Sequence, residues 1–256
     1  MKIRNIIAGI LVVTSFVSCT INEEIDLSTP GKGQYRVYTD MSQGLEMMKG
    51  MGGGAMPDSL KGKVVDTTMS LASQIDSLDL SLTEEEKAYY KNGTMHMVMN
   101  MEENKLNMEM KYPVKDIQGL KKFFKVSHLV DSVSKAKKKQ QEPGEEGAVA
   151  PGIEGIGSMF SGLQSKGSPY IITDSSIQRI ALTTEGLAES FGEEMKGAEM
   201  FMGQMIMTIT IKLPRPAKEI KGNMVRLLED KRTVVYSGSF AEMKDDPAKT
   251  EFYIKF

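Results

Sequence analysis

Apolar and polar residues alternate along several short stretches of this chain, and the alternation has a period of two. In Gln34–Asp40, QYRVYTD, the residues Tyr35, Val37 and Thr39 fall on one side and Gln34, Arg36 and Tyr38 on the other. Met95, Met97, Met99 and Met101 alternate with His96, Val98 and Asn100, and Leu106 to Tyr112 repeats the pattern with Met108 and Met110. Successive side chains of a strand point to opposite faces, so these stretches read as strands. The polar Glu102 to Lys105 between the last two makes them a hairpin. MIMTITIKL, Met205 to Leu213, is a strand with Met205, Met207, Ile209, Ile211 and Leu213 on one face. Ser176–Leu182, Met224–Leu228, Thr233–Phe240 and Thr250–Phe256 read as further strands. Elsewhere the spacing is helical. Asp66 to Met69 opens such a pattern, with Leu71, Ile75 and Leu78 on one face and Asp66 as the cap. Thr83 followed by Glu86 is a capping box at the start of a second helix. Val114–Lys139 carries an apolar stripe through Ile117, Leu120, Phe123 or Phe124, Leu129, Val130 and Val133, and Thr184–Gly203 reads as a glycine-punctuated helix.

Strands grouped with helices in this order predict an α+β fold: an antiparallel sheet with helices packed on one face. Residues 34–139 form a first α+β half and 169–256 a second, separated by a Gly-, Pro- and Glu-rich linker over 140–168. Asn107–Gly119 and Thr208–Gly222 echo one another, each running from a strand through Lys, an apolar residue and Pro to an Ile-x-Gly ending. Two related strand–helix–hairpin halves would produce this echo. So would the common use of proline to end a strand, and the sequence leaves both open.

The N-terminus adds a location. Lys2 and Arg4 precede an apolar run from Ile6 to Val17, and Phe16-Val17-Ser18-Cys19 closes it. The run has the layout of a secretory signal and is short for a permanent span. A small residue directly before a cysteine resembles the lipobox of bacterial lipoproteins, with Phe16 where Leu is usual. The resemblance implies that residues 1–18 are a signal peptide removed before Cys19, that the Cys19 sulfur takes a diacylglycerol, and that the new amino terminus is acylated. It implies no other cofactor. Its partner is then the membrane, and the place an outer membrane in the cell envelope, facing either the periplasm or the surface. Cys19 is the one cysteine of the chain, so no internal disulfide can form. Residues 19–33 read as a lipidated tether, with Glu23-Glu24 either a solvated part of it or an acidic export tag.

Composition narrows the rest. The chain has 256 residues, 40% hydrophobic and 26% charged, with a formal charge of −2. That balance is globular and gives no basic surface for a nucleic acid. Two histidines, His96 and His128, form no HExxH, and no GxSxG elbow occurs. The 21 methionines carry the remaining chemistry. Thioethers select Cu(I), yet they also serve as adaptable core filler or line an apolar groove. Met205–Phe256 resembles the LppM-type lipoprotein domain, with Tyr236 where that family carries Trp; no site residue is carried over from it. The sequence therefore favours a non-enzymatic, lipid-anchored binding or interaction module whose apolar or protein partner it does not identify. A periplasmic Cu(I) binder and a cryptic envelope enzyme are the alternatives.

Overall fold

A computed structural model describes residues 19–50, 62, 64–72, 75, 82–140, 170–181 and 205–256. The signal segment 1–18, residues 141–168 of the expected linker and the helix expected over Thr184–Gly203 lie outside the described residues. The fold is α+β. Twelve strands are described, in two sheets. The strands are β1 (Thr20–Asp26), β2 (Gly33–Asp40), β3 (Val64–Ser70), β4 (Thr94–Asn100), β5 (Lys105–Lys115), β6 (Tyr170–Thr173), β7 (Ser176–Arg179), β8 (Ile206–Lys212), β9 (Glu219–Lys221), β10 (Val225–Leu227), β11 (Thr233–Ser239) and β12 (Phe252–Lys255). The helices are α1 (Ser42–Gly50), α2 (Glu84–Lys91), α3 (Ile117–Gln140) and α4 (Phe240–Asp245). Eight strands make a sheet in the order β10-β11-β8-β1-β2-β5-β4-β3, and four make a second in the order β6-β7-β12-β9.

The first sheet is mixed, not antiparallel as the sequence predicts, because β1 lies parallel to β8 while antiparallel to β2. Alternation fixes which residues share a face and is silent on a partner's direction. It also unites the two expected halves: β8, β11 and β10 extend the same sheet that β1 to β5 build. The echo between Asn107–Gly119 and Thr208–Gly222 extends only to the strand that opens each segment. After Pro113 the chain turns into α3, whereas after Pro214 it passes to β9 in the second sheet.

One face of the large sheet is buried. Ile21, Ile25, Tyr35, Val37, Met97, Met99, Met108, Met110, Tyr112, Met207, Ile209, Ile211, Val234 and Tyr236 all lie on it, and the register places them side by side. α3 covers the β2–β5 region: Phe123 sits 4.3 Å from the Tyr112 ring and 5.1 Å from Tyr35. The second sheet covers the region of β1, β8 and β11 through Tyr170, Phe252 and Ile254, and Phe124 joins the two coverings at 5.1 Å from Tyr170. Burying such rings stabilises each contact by about 0.5–1.5 kcal/mol beyond the area term.

Local chemistry explains the element ends. Thr83 Oγ1 accepts from Glu86 N at 3.2 Å and Glu86 Oε2 accepts from Thr83 N at 3.0 Å, the box read from sequence. The hydrogen bond from Lys125 does most to lower the pKa of the Glu86 carboxyl, to about 2, and the bonds from Thr83 add to it. α3 begins at Ile117 rather than Val114, because Val114 and Lys115 still belong to β5, where Lys115 pairs with Gly33, and Asp116 accepts from Gly119 N at 2.8 Å. The residues from Asp66 to Ser70, expected as the start of a helix, are strand, and Leu78 of the expected stripe lies outside the described residues. Val64 to Ser70 is an edge strand, and the buried Leu71 and Ile75 come after it. Its β-branched Val64, Val65, Thr67 and Thr68 favour the strand, and the helical spacing of Leu71 and Ile75 belongs only to the chain beyond Ser70.

Candidate lipid-attachment site

Cys19 lies directly before β1, at one end of the large sheet. The tether expected over 19–33 is instead mostly strand and turn: Thr20 is already paired on both sides, with Asp40 of β2 and Ile206 of β8. The Cys19 carbonyl itself accepts from Ile206 N at 3.0 Å. Glu23 and Glu24 are therefore neither solvated tether nor exposed tag. Glu23 points inward between Ile21 and Ile25 and is 6% exposed. Glu24 points to the opposite face, where it pairs with Arg36 and Lys212. The sequence hides β1 because its three inward positions read Ile, Glu, Ile.

Around Cys19 the sheet end is closed by α1. Ser42 N donates to Asp40 Oδ1 at 3.0 Å, and Leu106 N donates to Ser42 Oγ at 3.1 Å, so the helix start is tied to β2 and β5. This brings Gly44 over the cysteine, where an added Cβ would sit 3.3 Å from Cys19 Sγ. A glycine within a helix costs about 1 kcal/mol relative to Ala, and here it leaves room beside the sulfur. Cys19 is half-buried. Burial pushes its thiol above the ordinary value, and the Asp40 carboxylate adds to the rise. Little thiolate forms at neutral pH, so the folded protein presents a weak nucleophile here.

The methionine ladder is a cross-strand block. Met97 faces Met108, Met95 faces Met110 and Met99 faces Leu106. Met97, Met99 and Met108 are buried, and Met207 continues the layer across β8. His96 is on the other face, where its Nε2 lies 2.8 Å from Asp66 Oδ1, and His128 is exposed on α3. The structure thus does not bring a histidine to the thioethers. Among the described residues, no three His, Cys, Asp or Glu side chains gather as a metal would require.

Sequence reading missed a polar cluster between the two sheets. Tyr170 OH donates to Glu23 Oε1 at 2.8 Å, and the Tyr35 hydroxyl also acts on the same carboxyl. Burial raises the Glu23 carboxyl above the usual range, against the opposing pull of Arg179 and the two tyrosines. Arg179 is 2% exposed, donates to Met207 Sδ at 3.5 Å, and lies over the Tyr170 and Tyr236 rings at 5.9 and 5.6 Å. Its partners come from distant strands, and the only local sign was Glu23 breaking an apolar alternation.

The opposite face of the large sheet is polar and internally paired. Lys212, Glu24, Arg36, Glu109 and Lys111 form a continuous chain of ion pairs across β8, β1, β2 and β5. An open depression of about 540 Å³ beside β9 and β12 is lined by Gln178, Glu219, Lys221, Glu251 and Tyr253. Its polar groups are engaged with one another: Lys221 pairs with Glu219 at 2.8 Å, and Gln178 donates to Glu251 at 3.4 Å. No helix among the described residues is long and apolar enough to cross a membrane. Comparison with known protein families, with curated proteins and with solved structures finds no match for this chain.

Proposed function

We propose that the protein is a lipoprotein of the bacterial cell envelope, anchored in an outer membrane by a diacylglycerol on the Cys19 sulfur and an acyl group on its amine, and that its α+β body is a non-enzymatic binding or interaction module. One observation carries the reading. The apolar leader and its lipobox-like ending stop at Cys19, and the folded body begins at the next residue, Thr20. Cleavage before Cys19 would leave the sheet whole. Several acyl chains, at about 0.8 kcal/mol per buried methylene, hold a protein on a bilayer stably. The raised thiol fits a sulfur whose chemistry is completed before folding rather than one used in turnover.

The test is the mass of the N-terminal peptide of protein purified from membranes. A peptide starting at Cys19 and carrying diacylglycerol plus an N-acyl chain is expected, with labelled palmitate incorporated by the wild type and not by Cys19→Ala. An unmodified Cys19, or a peptide retaining residues 1–18, would overturn the reading.

A further inference from the structure

We infer that the depression on the outer face of the second sheet is a binding site for a neutral saccharide, with Tyr253 as its stacking ring. The inference rests on the binding-module reading, to which it gives a ligand class, and not on the lipid. Alternation in β12 places the ring. Phe252 and Ile254 are buried toward the large sheet, so Tyr253 between them points away from it. The pairing register fixes its surroundings. Tyr253 lies opposite Gln178 of β7 on one side and Lys221 of β9 on the other, and Lys255 lies opposite Glu219 two residues along the same face. Continued the other way, the β9 register sets Asn223 opposite Glu251, and both line the depression. One ring thus stands at the centre of a polar surface three strands wide, roughly 10 Å across at about 4.8 Å per strand.

The composition of this surface selects the ligand. The carboxylates of Glu219 and Glu251 stand against the ammoniums of Lys221 and Lys255, a balance that favours neither a polyanion nor a cation. An apolar guest would strand the same groups without partners. A saccharide matches them. Each of its hydroxyls donates and accepts, as the Gln178 and Asn223 amides do, while the carboxylates accept and Lys221 donates. The C–H face of a pyranose is flat and apolar, and an aromatic ring such as Tyr253 offers it a surface to pack on.

The contacts these groups make among themselves are ones a ligand can replace. The Lys221–Glu219 pair is open to water on both sides, and exposed pairs of this kind hold weakly. The Gln178–Glu251 hydrogen bond is long, at 3.4 Å. Lys221 Nζ lies 5.9 Å from the centre of the Tyr253 ring, on a flexible stem that swings aside readily. The backbone beneath is fixed. Gly222 has φ +134°, and a Cβ there would lie 2.9 Å from the Glu251 carbonyl oxygen and 2.9 Å from Phe252 Cβ. Glycine lets the end of β9 close on the start of β12, which brings Asn223 beside Glu251. The resulting depression of about 540 Å³ falls within the range of about 300–1,000 Å³ that small-ligand sites occupy.

The full chain, purified in a detergent without a sugar headgroup, tests this by saturation-transfer NMR with maltotriose, cellotriose and triacetylchitotriose as probes. At least one is expected to receive saturation on its carbon-bound ring protons. Tyr253→Ala is expected to weaken that binding about tenfold or more and Asn223→Ala about threefold or more, whereas Tyr253→Phe, which keeps the ring, should change it by less than about twofold. Asn223 is exposed, so its variant decides the matter even where Tyr253→Ala does not fold. No transfer to any of the three probes overturns the inference, as does transfer that both alanine variants leave unaltered. Tighter, Tyr253-dependent binding of glucose 6-phosphate or decanoate overturns it as well. Cleavage of a probe into shorter sugars, with its binding still dependent on Tyr253, overturns the non-enzymatic reading and leaves the site standing.

Discussion

Replacing Tyr170 by Phe removes one hydroxyl from the seam between the two sheets. That hydroxyl donates to Glu23 Oε1 at 2.8 Å, and both residues are buried. If Glu23 is protonated the loss is that of a neutral hydrogen bond, about 0.5–1.5 kcal/mol; if it is ionised the loss is about 1.5–3 kcal/mol. The sign of the pH dependence comes from the direction of the shift. Burial raises the folded-state value of Glu23 above its unfolded one, so the stability linked to this group is fully present below the unfolded value and is lost as pH rises through the folded one. The Tyr170 hydrogen bond opposes that rise. Without it the folded value climbs further, and Tyr170→Phe should cost more at about pH 8 than at about pH 4, the unfolded carboxyl lying near 4.3. In a protein of this size the larger loss lowers the melting temperature by roughly 3–10 °C. The chain has no Trp, so the assay is urea or thermal unfolding followed by far-ultraviolet circular dichroism. Equal losses at the two pH values, or none at either, would refute the claim that Tyr170 holds a buried titrating carboxyl.

Gly119→Ala should be severe, because the new Cβ would fall 1.7 Å from the Val114 carbonyl oxygen, a backbone atom that no rotamer change can move. A loss of about 3 kcal/mol or more in urea unfolding is expected, and a wild-type midpoint would show that α3 does not approach β5 as described. Met97→Leu with Met99→Leu should cost less than about 1.5 kcal/mol per site, since buried volume is nearly conserved. Cu(I) under reducing conditions should leave the melting temperature of the wild type unchanged; a rise of several degrees that the double variant abolishes would turn the methionine layer into a metal site.

How far the sequence could be read depended on whether the deciding interactions were local. β2, the β4–β5 hairpin, β8 and β11 were visible because their inward residues carry no charge and are apolar but for Thr39 of β2, and the Thr83–Glu86 box was visible because both partners lie within one turn. β1 was not, because an inward glutamate satisfied by Tyr170 looks like a polar tether until the partner is in place. β3 was mistaken because Leu71 and Ile75 lent their helical spacing to residues before them. The parallel pairing of β1 with β8, and the second sheet lying over both, depend on long-range contacts that no periodicity records. At the candidate site, Cys19 itself was legible from its flanking residues. Its burial beneath Gly44 was not.

The pairing of Thr20 with Ile206 also sets an order in time. β1 is the first strand of the body to be synthesised, and β8 lies far towards the other end of the chain. If the chain is exported as proposed, it emerges residue by residue from a translocation channel and cannot complete the middle of this sheet until most of it has come through. Non-local pairings of this kind form slowly. Through that interval Cys19 is as reachable as any residue of an open chain, and after it the sulfur is half-covered by α1. For an enzyme that modifies this thiol, the closing of the sheet is a deadline.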